Sequence, residues 1–324
     1  MKKQTRQFLK RTPFYDVYMW LCYQEGKRFP IFKTKRKFRS RYREKLDLNH
    51  PQTFPEKINW LKLFYYPNAP LAIQAGDKWG LQTFLKERGL SQLAAPILHA
   101  YDAVEEIKWE ALPKKFVIKK SNASSFNLII TNKAQTDEKK VKKRVAKWMR
   151  LPFGYMTGEY HYEKMHPKII IEAFIENIGN EWRVFCVNGK PELVQVLHIE
   201  GDYDTRAKVG YMGHVDPGYT HIDLEGKILE LHHRDATSIR IGDTFELPPD
   251  FSEMIEFAKI LAKDFPFVRV DFFHADGKLI LGELTFTPGN GFSVFGEATY
   301  GRLSDKLILP TTGDVNMNKE AMNK

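Results

Sequence analysis

The stretch VRVDFFHADGKLILGELTFTPG, residues 268–289, constrains this chain more than any other. β-Branched, aromatic and leucine residues flank Asp276 and Gly277, a pair that favours a tight hairpin turn, so two paired strands are predicted. Strands with such neighbours usually carry apolar side chains, yet Asp271 and Glu283 stand within them. Two carboxylates on paired strands repel each other unless a cation lies between them or one takes a proton. The first expectation is a Mg²⁺ site holding a nucleotide, and an ordinary solvated sheet face is the alternative.

With 324 residues, 43% hydrophobic and 13% aromatic, the chain can bury a large core, and two or three subdomains are expected. No apolar run approaches the roughly 20 residues of a membrane span, and the N-terminal FYDVYMWLCY is short and interrupted by Asp16. Cys22 and Cys186 lie far apart and make neither a disulfide framework nor a metal cluster. A reducing cytoplasm fits, and an unexported protein is expected. Of the formal net charge of +10, +9 lies in KRFPIFKTKRKFRSRYREK, residues 27–45, with ten Lys or Arg against one Glu. That segment, carrying Phe29, Phe32, Phe38 and Tyr42, suits an anionic membrane surface, an acidic glycan or a nucleic acid, although no nucleic-acid motif accompanies it. A solvated helix face is the plainer alternative.

Helical pieces are predicted over the first 76 residues, cut by turn signals at Pro30, residues 49–51 and residues 67–70. Thr53 and Glu56 have capping-box spacing ahead of Ile58, Leu61 and Leu63. Asp77 reads as the cap of a second amphipathic helix with Leu81, Phe84 and Leu85 on one face and Gly89 as its stop. From residue 115 strands dominate, with helices near 137–150 and 250–263. The polar end, 311–324, reads as a loose tail.

Three further patterns bear on chemistry. FVIKKSNASSFNLII, residues 116–130, ends a strand at Lys119 and crosses a loop of small polar residues, where Ser121, Ser124 and Ser125 and close backbone can approach phosphates. KIIIEAFIENIGNEWRVF, residues 168–185, runs an apolar strand into Glu172 and a connector suited to an adenine edge. Glu181 and Arg183 then share one strand face. Taken singly, these patterns also describe a polar hairpin turn and the surface charges of an edge strand.

In this order, the patterns resemble the ATP-grasp superfamily. More narrowly, HPQTFPEKINWLKLF, DKWGLQTFLKERG, LPKKFVIKKSNASS and ELTFTPGNGF resemble the TupA-like ATP-grasp family, linked to teichuronopeptide, capsule and other cell-surface polysaccharide assembly. The resemblance runs from about residue 46 to about residue 309. It implies an α+β ATP-grasp fold in which two α+β subdomains clamp a nucleotide behind a helical N-terminal extension: 1–76 helical with the basic segment 27–45, 77–175 the lid subdomain, 176–310 the C-terminal subdomain.

By the same resemblance, Lys119 contacts the α and β phosphates of ATP, and Ser124 and Ser125 lie in the loop over them. Glu172, Ala173, Phe174 and Ile175 form the adenine hinge, and Glu181 faces the ribose. Asp271, Glu283 and Thr285 ligate Mg²⁺, with Thr285 where many ATP-grasp enzymes have Asn, and Arg269 and Arg183 steady the transferring or acyl phosphate. The implied activity is a cytoplasmic ATP- and Mg²⁺-dependent carboxylate–amine ligase, joining an amino acid or other amine to a surface glycan or its lipid-linked precursor; the basic segment, separately, makes peripheral contact at the inner membrane face an option. A sugar kinase, a polysaccharide-locus glycosyltransferase and a non-catalytic glycan- or membrane-binding module are the alternatives. His161, Tyr162, His198, His214, His221, His232 and His233 are candidates for an acceptor site and carry no assigned role.

Overall fold

The computed structural model describes residues 14–176, 178–198, 219–229, 246–293 and 297–311. From residue 14 to residue 76 it is mainly helical, as expected for that stretch. Helix α1 (Phe14–Arg28) turns at Phe29 into α2 (Pro30–Tyr42), where proline occupies the first turn, a position that needs no amide hydrogen. Helix α3 (Phe54–Trp60) opens on the expected capping box, in which the Glu56 carboxylate accepts from the Thr53 amide at 3.0 Å, and runs on as a π turn over Leu61–Tyr65. After α4 (Pro70–Gly76), the Asp77 carboxylate accepts from the Gly80 amide at 3.0 Å and starts α5 (Gly80–Glu87), which buries Leu81, Phe84 and Leu85. Gly89 ends that segment at φ 69°, a conformation that glycine adopts without steric cost.

Two antiparallel sheets follow. The first, in the order β1-β4-β2-β3, comprises β1 (Ile97–Tyr101), β2 (Phe116–Lys120), β3 (Asn127–Ile130) and β4 (Ile169–Ala173). The second runs β10-β9-β5-β6-β7-β8, from β5 (Ile178–Val187), β6 (Lys190–Leu197), β7 (Tyr219–Ile222), β8 (Ile228–Leu229), β9 (Phe267–Ala275) and β10 (Lys278–Thr285). Helix α6 (Glu138–Met149) lays Val141, Val145 and Trp148 into a core it shares with the first sheet. The short α7 (Phe153–Thr157) follows, and α8 (Phe251–Ala262) packs on the second sheet, with α9 (Glu297–Lys306) near the end. The N-terminal helices join the second sheet's core: the Tyr66 hydroxyl donates to the Phe267 carbonyl at 2.7 Å, and Phe84 stacks on Phe265. Helices and two antiparallel sheets make the α+β class that was expected.

The basic segment is divided between core and surface. Phe38 is buried, the Tyr42 hydroxyl donates to the Ser293 carbonyl at 2.7 Å, and buried Lys33 donates to the carbonyls of Cys22, Tyr155 and Met156. These three side chains therefore hold the helices to the body, which corrects the expectation that Phe38 and Tyr42 face a partner. Apart from Thr311, the tail 311–324 lies outside the described residues, as do His214, His232 and His233.

Candidate functional site

A cavity of about 470 Å³ opens between the two sheets. One wall begins with strand alternation on β2. Lys119 points into the cavity and pairs with Glu172 of β4 at 2.5 Å. Lys120 points the other way, is buried, and donates to the carbonyls of Trp148 and Leu151 at 3.0 and 2.7 Å; burial pulls its pKa down to about 8.

The loop after β2 divides similarly. Ser121 is buried and its hydroxyl accepts from the Lys168 amide, so it is a structural residue rather than a donor for phosphates. Ser125, held at φ 65°, borders the cavity, whereas Ser124 is half-buried and outside the lining. At the end of β4, Glu172, Ala173, Phe174 and Ile175 all line the cavity, and strand pairing stops at Ala173.

The opposite wall is a charged row across three strands. Arg183 of β5 pairs in register with Asp271 of β9, and Asp271 with Glu283 of β10. The second pairing depends on a bulge. Up to Leu281, which pairs with Phe272, the hairpin register would place Gly282 opposite Asp271 and Glu283 on the other face; the extra residue at Gly282 turns Glu283 to the side of Asp271. Glu181 accepts from the Arg183 guanidinium at 2.8 Å.

Arg269 grips Asp271 with two bonds of 2.6 and 2.5 Å, and its guanidinium lies 3.9 Å from Glu283. The Thr285 hydroxyl lies 2.9 Å from a Glu283 oxygen and 3.2 Å from an Asp271 oxygen. The two acids differ sharply in access: the side chain of Asp271 is 3% exposed and that of Glu283 43%. Burial pushes Asp271 up to about 6 against the pull of Arg269. Burial also acts upward on Glu283, but Lys78 and then Arg269 outweigh it and hold the carboxyl below its ordinary value.

Lys78 is the residue that sequence reasoning missed. It follows Asp77, enters the cavity, donates to the Ala123 carbonyl at 2.7 Å, and has its pKa lowered by burial while Glu283 opposes that shift. The only signal was a lysine inside DKWG, between a cap and an apolar helix face. Arg269 and Thr285 touch the acids without lining the cavity. His161 is a core residue, buried against Tyr66, Tyr162 and Phe286, with its pKa pushed down to about 3 by burial. His198 and His221 bond to Thr220 and Gln195 on β7 and β6.

Among the described residues no three His, Cys, Asp or Glu side chains converge as a closed metal cage. Two carboxylates and a hydroxyl suit Mg²⁺, which keeps waters and takes the rest of its shell from phosphate oxygens. With Lys78 and Lys119 on the facing side, the cavity sets two cations opposite two acids.

The family model described as TupA-like ATPgrasp matches residues 56–308. No curated protein matches the sequence. Among solved structures, the chain is similar to a D-alanine–D-alanine ligase from Bacillus anthracis at 18% identity and TM-score 0.40, covering 73% of this chain and 66% of that one. It is also similar to one from Helicobacter pylori at 15% identity and TM-score 0.38, covering 74% and 62%. An L-amino acid ligase from Bacillus licheniformis matches at 12% identity and TM-score 0.39, covering 68% and 42%. The chain thus spans less than two thirds of the length of each of these structures.

Proposed function

The chain belongs to the TupA-like ATP-grasp family, and from that premise we propose that it is an ATP- and Mg²⁺-dependent carboxylate–amine ligase that forms an amide through an acyl phosphate. The observation that carries the reading is the charged row Arg183, Asp271 and Glu283 facing Lys78 and Lys119 across one cavity. When bound, ATP with Mg²⁺ supplies the phosphoryl group that activates the carboxylate.

The chain's residues divide the remaining work. Lys78 and Lys119 neutralise phosphate charge, with Ser124 and Ser125 in the loop above it. Residues 172–175 take the adenine edge, and Glu181 accepts from ribose hydroxyls. Asp271, Glu283 and Thr285 hold the metal, while Arg183 and Arg269 balance charge that develops on the transferring group. A substrate carboxylate oxygen attacks the γ phosphorus as the bond to ADP breaks. An amine then attacks the acyl carbon, free phosphate leaves, and the amine loses a proton to solvent. The reading places the two halves of the clamp at 77–175 and 176–310.

By family resemblance, the carboxylate belongs to a uronic acid of a surface glycan or its precursor, as in capsule or teichuronopeptide assembly, and the amine to an amino acid. The test is incubation with Mg²⁺, ATP and a uronic-acid glycan, with and without a pool of amino acids. ADP and phosphate should appear in equal amounts only when both substrates are present, and hydroxylamine should trap a hydroxamate. Label from ATP retained stably on the glycan without amine would instead establish a kinase acting on a hydroxyl.

A further inference from the structure

The outward faces of α1 and α2 carry an arrangement that the cavity does not use. On α1, Val17, Trp20 and Leu21 are 54–57% exposed and fall within one arc of the helix. Lys27 and Arg28 lie at the far end of that arc, and Phe29 and Phe32, about 60% exposed, stand at the corner with α2. From Phe32 the spacing i+3, i+4, i+7 continues as Lys35, Arg36 and Arg39, followed by exposed Arg43. An apolar and aromatic patch thus passes into a basic one on a single surface.

The surface is rigidly presented. The opposite side of α1 approaches α7 so closely that a Cβ on Gly26 would lie 1.9 Å from the Tyr155 carbonyl oxygen. Tyr23 meets Tyr155 edge to face, Lys33 ties the corner to three carbonyls, and Arg36 pairs with Glu25. Large apolar side chains exposed together in this way mark an interaction site.

We propose that this surface docks the protein onto an anionic lipid bilayer, with Val17, Trp20, Leu21, Phe29 and Phe32 entering the headgroup boundary and Lys27, Arg28, Lys35, Arg36, Arg39 and Arg43 meeting the anionic headgroups. Each half of the surface excludes a different rival. A soluble polyanion satisfies the basic residues and leaves Val17, Trp20 and Leu21 in water. A second copy of the chain would cover the apolar residues while setting one +9 segment against another, which repels. Residues 1–13 add five Lys or Arg and no acid, strengthening attraction to an anionic surface. A bilayer with anionic lipid satisfies both halves, as interfacial amphipathic helices do. No helix among the described residues is long and apolar enough to cross a membrane.

The test is co-sedimentation of the full chain with phosphatidylcholine vesicles, with and without roughly 30% phosphatidylglycerol, over a salt titration. The parent should pellet with the anionic vesicles, and its binding should weaken without vanishing as salt rises. A Lys35→Gln, Arg39→Gln, Arg43→Gln variant should bind about a hundredfold more weakly at low salt. A Trp20→Ser, Leu21→Ser, Phe32→Ser variant should lose binding that persists at higher salt, while both variants melt and elute as the parent does. Equal binding to neutral vesicles, no binding by the parent, or unchanged binding in both variants overturns the proposal. A concentration-dependent dimer abolished by the serine variant, with vesicle binding intact, would show that the face joins two copies instead.

Discussion

The six-stranded sheet carries its charged row above the larger core, where Val184, Val270 and Phe272 are fully buried behind Arg183 and Asp271. The four-stranded sheet stands on a separate core of Phe116, Ile118, Ile169, Ile171 and the inward face of α6. The acids thus belong to one packed body and Lys119 to another. Their mutual attraction is set by the width of the cavity rather than by either sheet alone. The difference teaches a division of labour: the larger body fixes two acids to within a strand register, while the smaller one offers a lysine beside a loop tied down through Ser121, Asn122, Ala123 and Phe126.

Removing charge from the rigid body should have the largest effect. Asp271→Asn or Glu283→Gln should lower the rate of ADP formation on the order of 10²-fold or more while the chain still folds, with the melting temperature of Asp271→Asn below the parent's because buried Arg269 loses its partner. Activity measured across a Mg²⁺ titration checks this, and an unchanged metal dependence in both variants would remove the acids from the metal site.

On the smaller body, the neighbours Lys119 and Lys120 should separate binding from stability. Lys119→Ala should weaken ATP binding about tenfold with little loss of stability. Lys120→Met should leave nucleotide affinity within about twofold and cost about 1 kcal/mol of stability, because the Trp148 and Leu151 carbonyls lose their donor. Calorimetric titration and denaturant melts of the two variants decide it. Equal losses of affinity would mean that β2 presents its other face.

The smallest effect concerns pH. Burial holds the folded-state pKa of Lys120 at about 8, below the ordinary 10.5, so the folded chain releases that proton before the unfolded chain does. This penalty is fully present below about pH 8 and is relieved as pH climbs toward 10.5. The melting temperature of Lys120→Met should therefore gain less between those values than that of the parent. Identical pH profiles would show that the Lys120 environment contributes nothing.

Much of this was legible in the chain because it rests on local chemistry. Asp276 and Gly277 adopt φ of 50° and 74° at the hairpin turn, and Thr53 and Glu56 form their capping box. The apolar face of α5 holds Leu81, Phe84 and Leu85, as their spacing indicated, and α6 and α8 fall near the expected 137–150 and 250–263. Lys78 was not legible, since nothing near it in sequence shows that its side chain enters the cavity and bonds to the Ala123 carbonyl. Phe38 and Tyr42 were misread for the same reason: a helix's period separates its faces but does not say which face another element covers.

By itself, then, the sequence determined the elements, their turns and caps, and which residues alternate across a strand, because these follow from backbone sterics and neighbours a few positions away. Only the tertiary structure decided that a bulge at Gly282 turns Glu283 to the side of Asp271, that Arg269 holds one acid almost wholly buried while the other stays half exposed, and that one face of α2 is core and the other surface. Each of these depends on a one-residue register or on contacts between segments far apart in the chain, and their free energy appears only when the whole core closes around them.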